Sequence, residues 1–142
     1  FGVMFFPDKI AAFREASHVL KPGGRLVVQD LTVPDDERAA RYVDAFERLR
    51  DPSHGRMYAP YEWEGLFLDA GFTVEAAEIH RRPANMEEWA QQQDCPPDII
   101  ERLHILLAQA PAAVRDWLNV QYPATPAAQF DHVYVIIAGV KT

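Results

Sequence analysis

Residues 8–34 read Asp8-Lys9-Ile10-Ala11-Ala12-Phe13-Arg14-Glu15-Ala16-Ser17-His18-Val19-Leu20, then Lys21-Pro22-Gly23-Gly24, then Arg25-Leu26-Val27-Val28-Gln29-Asp30-Leu31-Thr32-Val33-Pro34. Asp8 can accept hydrogen bonds from the free amides of a first helical turn, and Ile10, Phe13, Ser17 and Leu20 recur at helical spacing. Lys21 suits the negative end of that helix, Pro22 cannot continue it, and Gly23 and Gly24 supply positive dihedrals for a chain reversal. The strand that follows is apolar at consecutive positions, which predicts cover on both faces, as in a sheet flanked by helices. A phosphate cradle needs its glycines after a strand and before a helix. Here the order is helix, glycines, strand, so the pair reads as a plain turn.

A helix ending in Lys21-Pro22-Gly23-Gly24, followed by Arg25-Leu26-Val27-Val28 and the acidic Asp30, resembles the second half of class I S-adenosylmethionine-dependent methyltransferases. Phe5-Phe6-Pro7-Asp8 is similar to the segment after their fourth strand. Arg48-Leu49-Arg50-Asp51-Pro52-Ser53-His54, followed by Glu62-Trp63, resembles the subgroup related to ubiquinone and menaquinone biosynthesis methyltransferases. The likeness covers nearly the whole chain, and its first part is specific for fold and cofactor class only. It implies an α/β fold, the C-terminal half of a Rossmann-like methyltransferase. The last strand would run antiparallel in the middle of a mixed sheet, between the Leu26 strand and the Val74 strand.

The resemblance also implies S-adenosylmethionine as cofactor and places Met4, Phe5 and Phe6 near the methyl group. Many relatives carry a histidine pair where Met4 and Phe5 stand, so an apolar acceptor pocket is expected here, with Phe5, Tyr58 and Trp89 as its walls. The family's glycine-rich cofactor loop and the acidic residue after its second strand have no counterpart in the sequence. Residues 1–142 are therefore expected to form a single incomplete methyltransferase domain, inactive alone. The exposed edge of the Leu26 strand, or exchange of elements, is expected to drive homodimerisation.

Composition sets wider bounds. With 142 residues the chain is one domain's worth, and 49% apolar with 25% charged residues is ordinary for a globular protein. A formal charge of −7 argues against non-specific binding to nucleic acid or an anionic membrane. A single cysteine, Cys95, cannot close an internal disulfide, which fits a cytoplasmic setting. No apolar run reaches the roughly 18 residues of a membrane span. No metal-ligand spacing occurs. The chain opens at Phe1 inside an apolar run, which reads as the interior of a larger protein.

Asp30 falls where ligands collect in open α/β sheets, outside the carboxyl ends of the strands. It could orient an acceptor hydroxyl or take its proton, or serve as an ordinary strand-end or capping residue. A second helix is expected from Asp35, with Ala39, Tyr42, Val43, Phe46 and Leu49 inward and Arg38, Arg41, Glu47 and Arg48 on a solvated side. It stops at Asp51-Pro52-Ser53-His54-Gly55. The resemblance puts that loop over the active-site mouth, making His54 a second catalytic candidate beside the reading of a merely exposed histidine.

Pro60 opens a helix with Trp63, Leu66, Phe67 and Ala70 on one face, closed by Gly71, and Thr73–Ile79 reads as an edge strand. Residues 84–129 are expected to be a helical insert. Asn85 and Glu88 form a capping pattern, and Pro97 and Pro111 start further helices. The insert is either a subdomain covering the sheet's open end or a lid lining the acceptor pocket. Asp131–Ala138 reads as a strand covered on both faces. The functional reading is methyl transfer to a small apolar or aromatic acceptor; the alternative is a non-catalytic α+β binding or dimerisation module.

Overall fold

The computed structural model describes residues 8–142. Met4, Phe5 and Phe6, expected near the cofactor, lie outside them. The described chain runs α1 (Lys9–Val19), β1 (Arg25–Leu31), α2 (Glu37–Arg50), α3 (Pro60–Asp69), β2 (Phe72–Asn85), α4 (Met86–Gln91), α5 (Pro97–Ala108), α6 (Ala112–Leu118) and β3 (Gln129–Lys141). The sheet order is β1-β3-β2, so β3 is central and β2 is at an edge, as the resemblance implied. β1 and β3 pair antiparallel from Arg25 with Val140 to Leu31 with Tyr134. The helical stretch α4 to α6 lies in sequence between β2 and β3. The chain forms two compact units.

The first unit comprises the segment ending at Thr32, Tyr58–His80 and Tyr134–Thr142. Asp8 caps α1, its Oδ1 accepting from the Ala11 amide at 3.0 Å. At the other end the Lys141 ammonium donates to the Ser17 and Leu20 carbonyls, placing a cation at the helix's negative pole. The buried face of α1 is Ala12, Phe13 and Ala16, while Ile10 is 46% exposed. The expected stripe is thus turned: two alanines allow close packing around Phe13, whose ring meets Phe67 edge-on at 4.9 Å.

Gly23 has the expected positive φ of 85°, but Gly24 does not. Gly24 is constrained by space instead, since a Cβ there would sit 2.9 Å from the Lys21 carbonyl oxygen.

In β1, Leu26 and Val28 are buried whereas Val27 is 52% exposed, so only one face is covered, against expectation. Ala12, Phe13 and Ala16 of α1 and Trp63 and Phe67 of α3 form one core with Leu26, Val28, Val135 and Ile137. Val27, on the opposite pleat face, gains no such cover. β3 likewise alternates buried with half-buried residues and has no fully exposed position, as a central strand should. Gly71, at φ 87°, ends α3, and Phe72 packs against Phe67 with ring centroids 5.9 Å apart. β2 extends well beyond the Thr73–Ile79 reading, to Asn85.

The second unit comprises Val33–Met57 and Arg81–Val133. Asp36 caps α2 by accepting from the Ala39 amide at 2.9 Å. Ala39, Val43 and Phe46 are buried as expected, but so is Glu47, assigned by its neighbours in sequence to a solvated side. Both α5 and α6 pack on α2, so its covered face is broader than a single apolar stripe. Asn85 caps α4 through the Glu88 amide at 3.0 Å. That helix ends at Gln91. Leu103, Leu107, Val114 and Leu118 complete the buried surface of α5 and α6.

Candidate functional site

At the carboxyl end of β1, Asp30 accepts a hydrogen bond from the Leu31 amide at 2.8 Å, and its Oδ2 lies 3.4 Å from the Lys9 ammonium. Lys9 is the first residue of α1, fixed by the Asp8 cap. Its ammonium stands over two rings, 5.6 Å from the Trp63 centroid and 6.0 Å from that of Tyr58. The rings themselves meet edge to face at 5.5 Å. Tyr58 is held from below: the Thr32 hydroxyl donates to its carbonyl at 2.8 Å, and Thr32 and Tyr58 form a parallel bridge. Glu62 fixes the start of α3 by accepting from the Ala59 amide at 3.1 Å, which seats Trp63 against this group.

The result is a carboxylate, a cation and two aromatic faces in one corner of the first unit. A cation–π contact is worth about 0.5–2 kcal/mol depending on desolvation, and the Lys9 side chain is only 13% exposed. Asp30 and Tyr58, two of the sequence candidates, are thereby brought together. Lys9 and Trp63 were not foreseen. Lys9 reads as an ordinary first-turn residue, and nothing local announces a partner in the following strand.

His54 and Trp89 lie in the second unit. His54 Nε2 is 3.4 Å from Asp44 Oδ1, which also accepts from the Met57 amide at 2.9 Å, so the loop after α2 is tied back to the helix. Trp89 is not an open pocket wall. Its ring stacks on Phe46 at 5.0 Å, meets Phe130 edge-on at 4.8 Å and is capped by the Arg50 guanidinium at 4.5 Å. It also lines a cavity of about 280 Å³.

The Gly23 amide donates to the Lys141 carbonyl and the Gly24 amide to that of Lys21, so the glycine turn has no amides left to cradle a ligand. Among the described residues no cluster of histidine, cysteine and carboxylates could hold a metal ion. Nor is any described helix long and apolar enough to cross a membrane.

No family model matches the chain. It is 32% identical over 114 residues to the uncharacterized protein YafE of Escherichia coli (strain K12), spanning 80% of this chain and 55% of that protein. It is 30% identical to YcgJ of Bacillus subtilis (strain 168), an uncharacterized methyltransferase, over 78% of this chain and 44% of YcgJ. A demethylmenaquinone methyltransferase of Staphylococcus epidermidis is 30% identical over 51% of the chain and 37% of its own length. The crystal structure of YcgJ superposes with a TM-score of 0.88 at 25% identity, over 99% of this chain and 62% of that one. The chain spans about half the length of the curated relatives it matches. In sequence and in fold the chain is similar to methyltransferases, YcgJ and a demethylmenaquinone methyltransferase among them.

Proposed function

We propose that the chain is the acceptor-facing part of an S-adenosylmethionine-dependent methyltransferase acting on a small apolar or aromatic molecule. The observation that carries this reading is the likeness to YcgJ in both sequence and fold over most of the chain. The cofactor supplies the methyl group, and no described residue is assigned to it. What this chain contributes is positioning, which in a transfer of this type accounts for much of the rate. Lys9 fixes the Asp30 carboxylate, which is set to orient an acceptor hydroxyl or take its proton. Tyr58 offers an aromatic face beside it, and Phe5, outside the described residues, is the second proposed wall.

Calorimetric titration with S-adenosylhomocysteine tests the reading, on the 142-residue chain and on a version extended upstream to include a glycine-rich strand-turn-helix segment. The expected outcome is no binding to the shorter chain and micromolar binding to the longer one. In the longer protein D30N should lower methyl transfer by about 10²-fold without changing the affinity for S-adenosylhomocysteine. An extended protein that neither binds the cofactor product nor transfers methyl groups would end the proposal.

A further inference from the structure

In the second unit, Arg82, Pro83, Ala84, Asn85, Glu88, Trp89, Gln92 and His132 line a cavity of about 280 Å³. Its chemistry differs from the apolar acceptor pocket expected from sequence. Arg82 has no ion pair among the described residues, and neither ring nitrogen of His132 has a hydrogen-bond partner there. Both are therefore available to a ligand. The Asn85 side chain is partly engaged, since its Oδ1 accepts from the Glu88 amide and one N–H of its Nδ2 donates to the Pro126 carbonyl.

The imidazole is preoriented by edge-to-face contacts with Phe130 at 5.0 Å and Trp89 at 6.0 Å. Burial, reinforced by Arg82 and Arg50, pushes its pKa down to about 4, so at neutral pH it offers one donor and one acceptor and no charge. Arg82 supplies forked donors suited to a carboxylate. Glu88, also in the lining, repels a second anion and calls for a donor.

We propose that this cavity binds a small carboxylate carrying a hydroxyl or ammonium group, the carboxylate on Arg82 and the donor directed at Glu88, with His132 hydrogen-bonding between them. The proposal does not depend on the methyltransferase reading, because it needs none of Lys9, Asp30 and Tyr58.

Lactate, alanine and propionate are the probes, titrated into the chain while the indole N–H resonance of Trp89 and the ring resonances of His132 are followed. Lactate or alanine should shift both sets saturably, leave the Trp63 indole unmoved, and bind about tenfold or more tightly than propionate. R82Q, at an exposed position, should weaken binding about tenfold or more. E88Q should weaken alanine more than lactate, which separates the ammonium from the hydroxyl source and stands even where R82Q perturbs the fold. Absence of a saturable shift with both lactate and alanine, or equal affinity for propionate, overturns the proposal.

Discussion

Lys9 and Asp30, at the start of α1 and the end of β1, form an ion pair of 3.4 Å in which the two side chains are only 13% and 18% exposed. The pair joins the first helix to the carboxyl end of the strand that follows it. Removing either partner leaves the other partly desolvated without its countercharge. K9M, which keeps the aliphatic stem, should cost about 1–2 kcal/mol, as should D30N. The double variant should cost less than the sum of the two. Urea unfolding of the four proteins measures this, and strict additivity would show that the pair contributes nothing.

Much of this corner was legible in the sequence, but not its cation. The Asp8 cap, the Pro22-Gly23 stop, the apolar strand and the Pro60 helix are local signals, written in residues adjacent to the elements they define. The central place of β3 came from family likeness and the edge place of β2 also from the residue pattern of Thr73–Ile79, and both agree with the sheet order. What sequence reading missed depends on which neighbour covers which face. Ile10 and Val27 look like core residues yet are exposed, because no described element packs on them. Glu47 looks like a surface residue yet is buried, with Asp44, Arg50, Asp51 and His54 as its charged neighbours. Trp89 was read as a pocket wall for its aromatic character; its contacts with Phe46, Phe130 and Arg50, which no local pattern announces, bury most of it while it still lines a cavity.

Glu47 and His132 should give the second unit opposing pH dependences. Burial pushes Glu47 from 4.5 up to about 7, with His54 and Arg50 acting against it and Asp44 and Asp51 with it. Below about pH 4.5 folded and unfolded chains both hold that proton. As pH rises from there to about 7 the unfolded chain releases it first, so stability falls, by at most about 3 kcal/mol. His132 is lowered from 6.5 to about 4, so its contribution is complete above 6.5 and is lost as pH falls toward 4. With solvent screening this loss is no more than about 2 kcal/mol. The two slopes offset each other in the wild-type chain. E47Q should therefore lose stability steadily on acidification from neutral pH, and H132Q should gain it. Unfolding midpoints across that range check both; parallel profiles for E47Q and the wild type would show that Glu47 is not held protonated.

Gly139 is constrained by packing in the first unit. A Cβ built there would lie 2.5 Å from Phe67 Cδ2 and 3.2 Å from the Phe72 Cβ. Since Phe67 is itself fully buried, its ring has little room to retreat. G139A should destabilise the chain by about 1–3 kcal/mol. Adding F67L should recover part of that loss, although F67L alone is destabilising. Thermal unfolding of the three variants tests the clash; a neutral G139A would show that the α3 packing gives way cheaply.

The outer edge of β1 carries the prediction about assembly. β1 is bonded along its length to β3, and no strand among the described residues pairs with its other edge. Val27, 52% exposed on the same strand, adds apolar surface beside that edge. An unpaired strand with an apolar flank is a template for a second copy, and we expect the 142-residue chain to form homodimers through β1 or by exchanging elements. Light scattering across a wide concentration range should show mass rising toward that of two chains. V27K, which places a charge beside the edge, should shift that rise to higher concentration, whereas a substitution at the exposed Tyr61 of α3 should leave it in place. A monomer mass at every concentration would rule out the edge as an assembly surface.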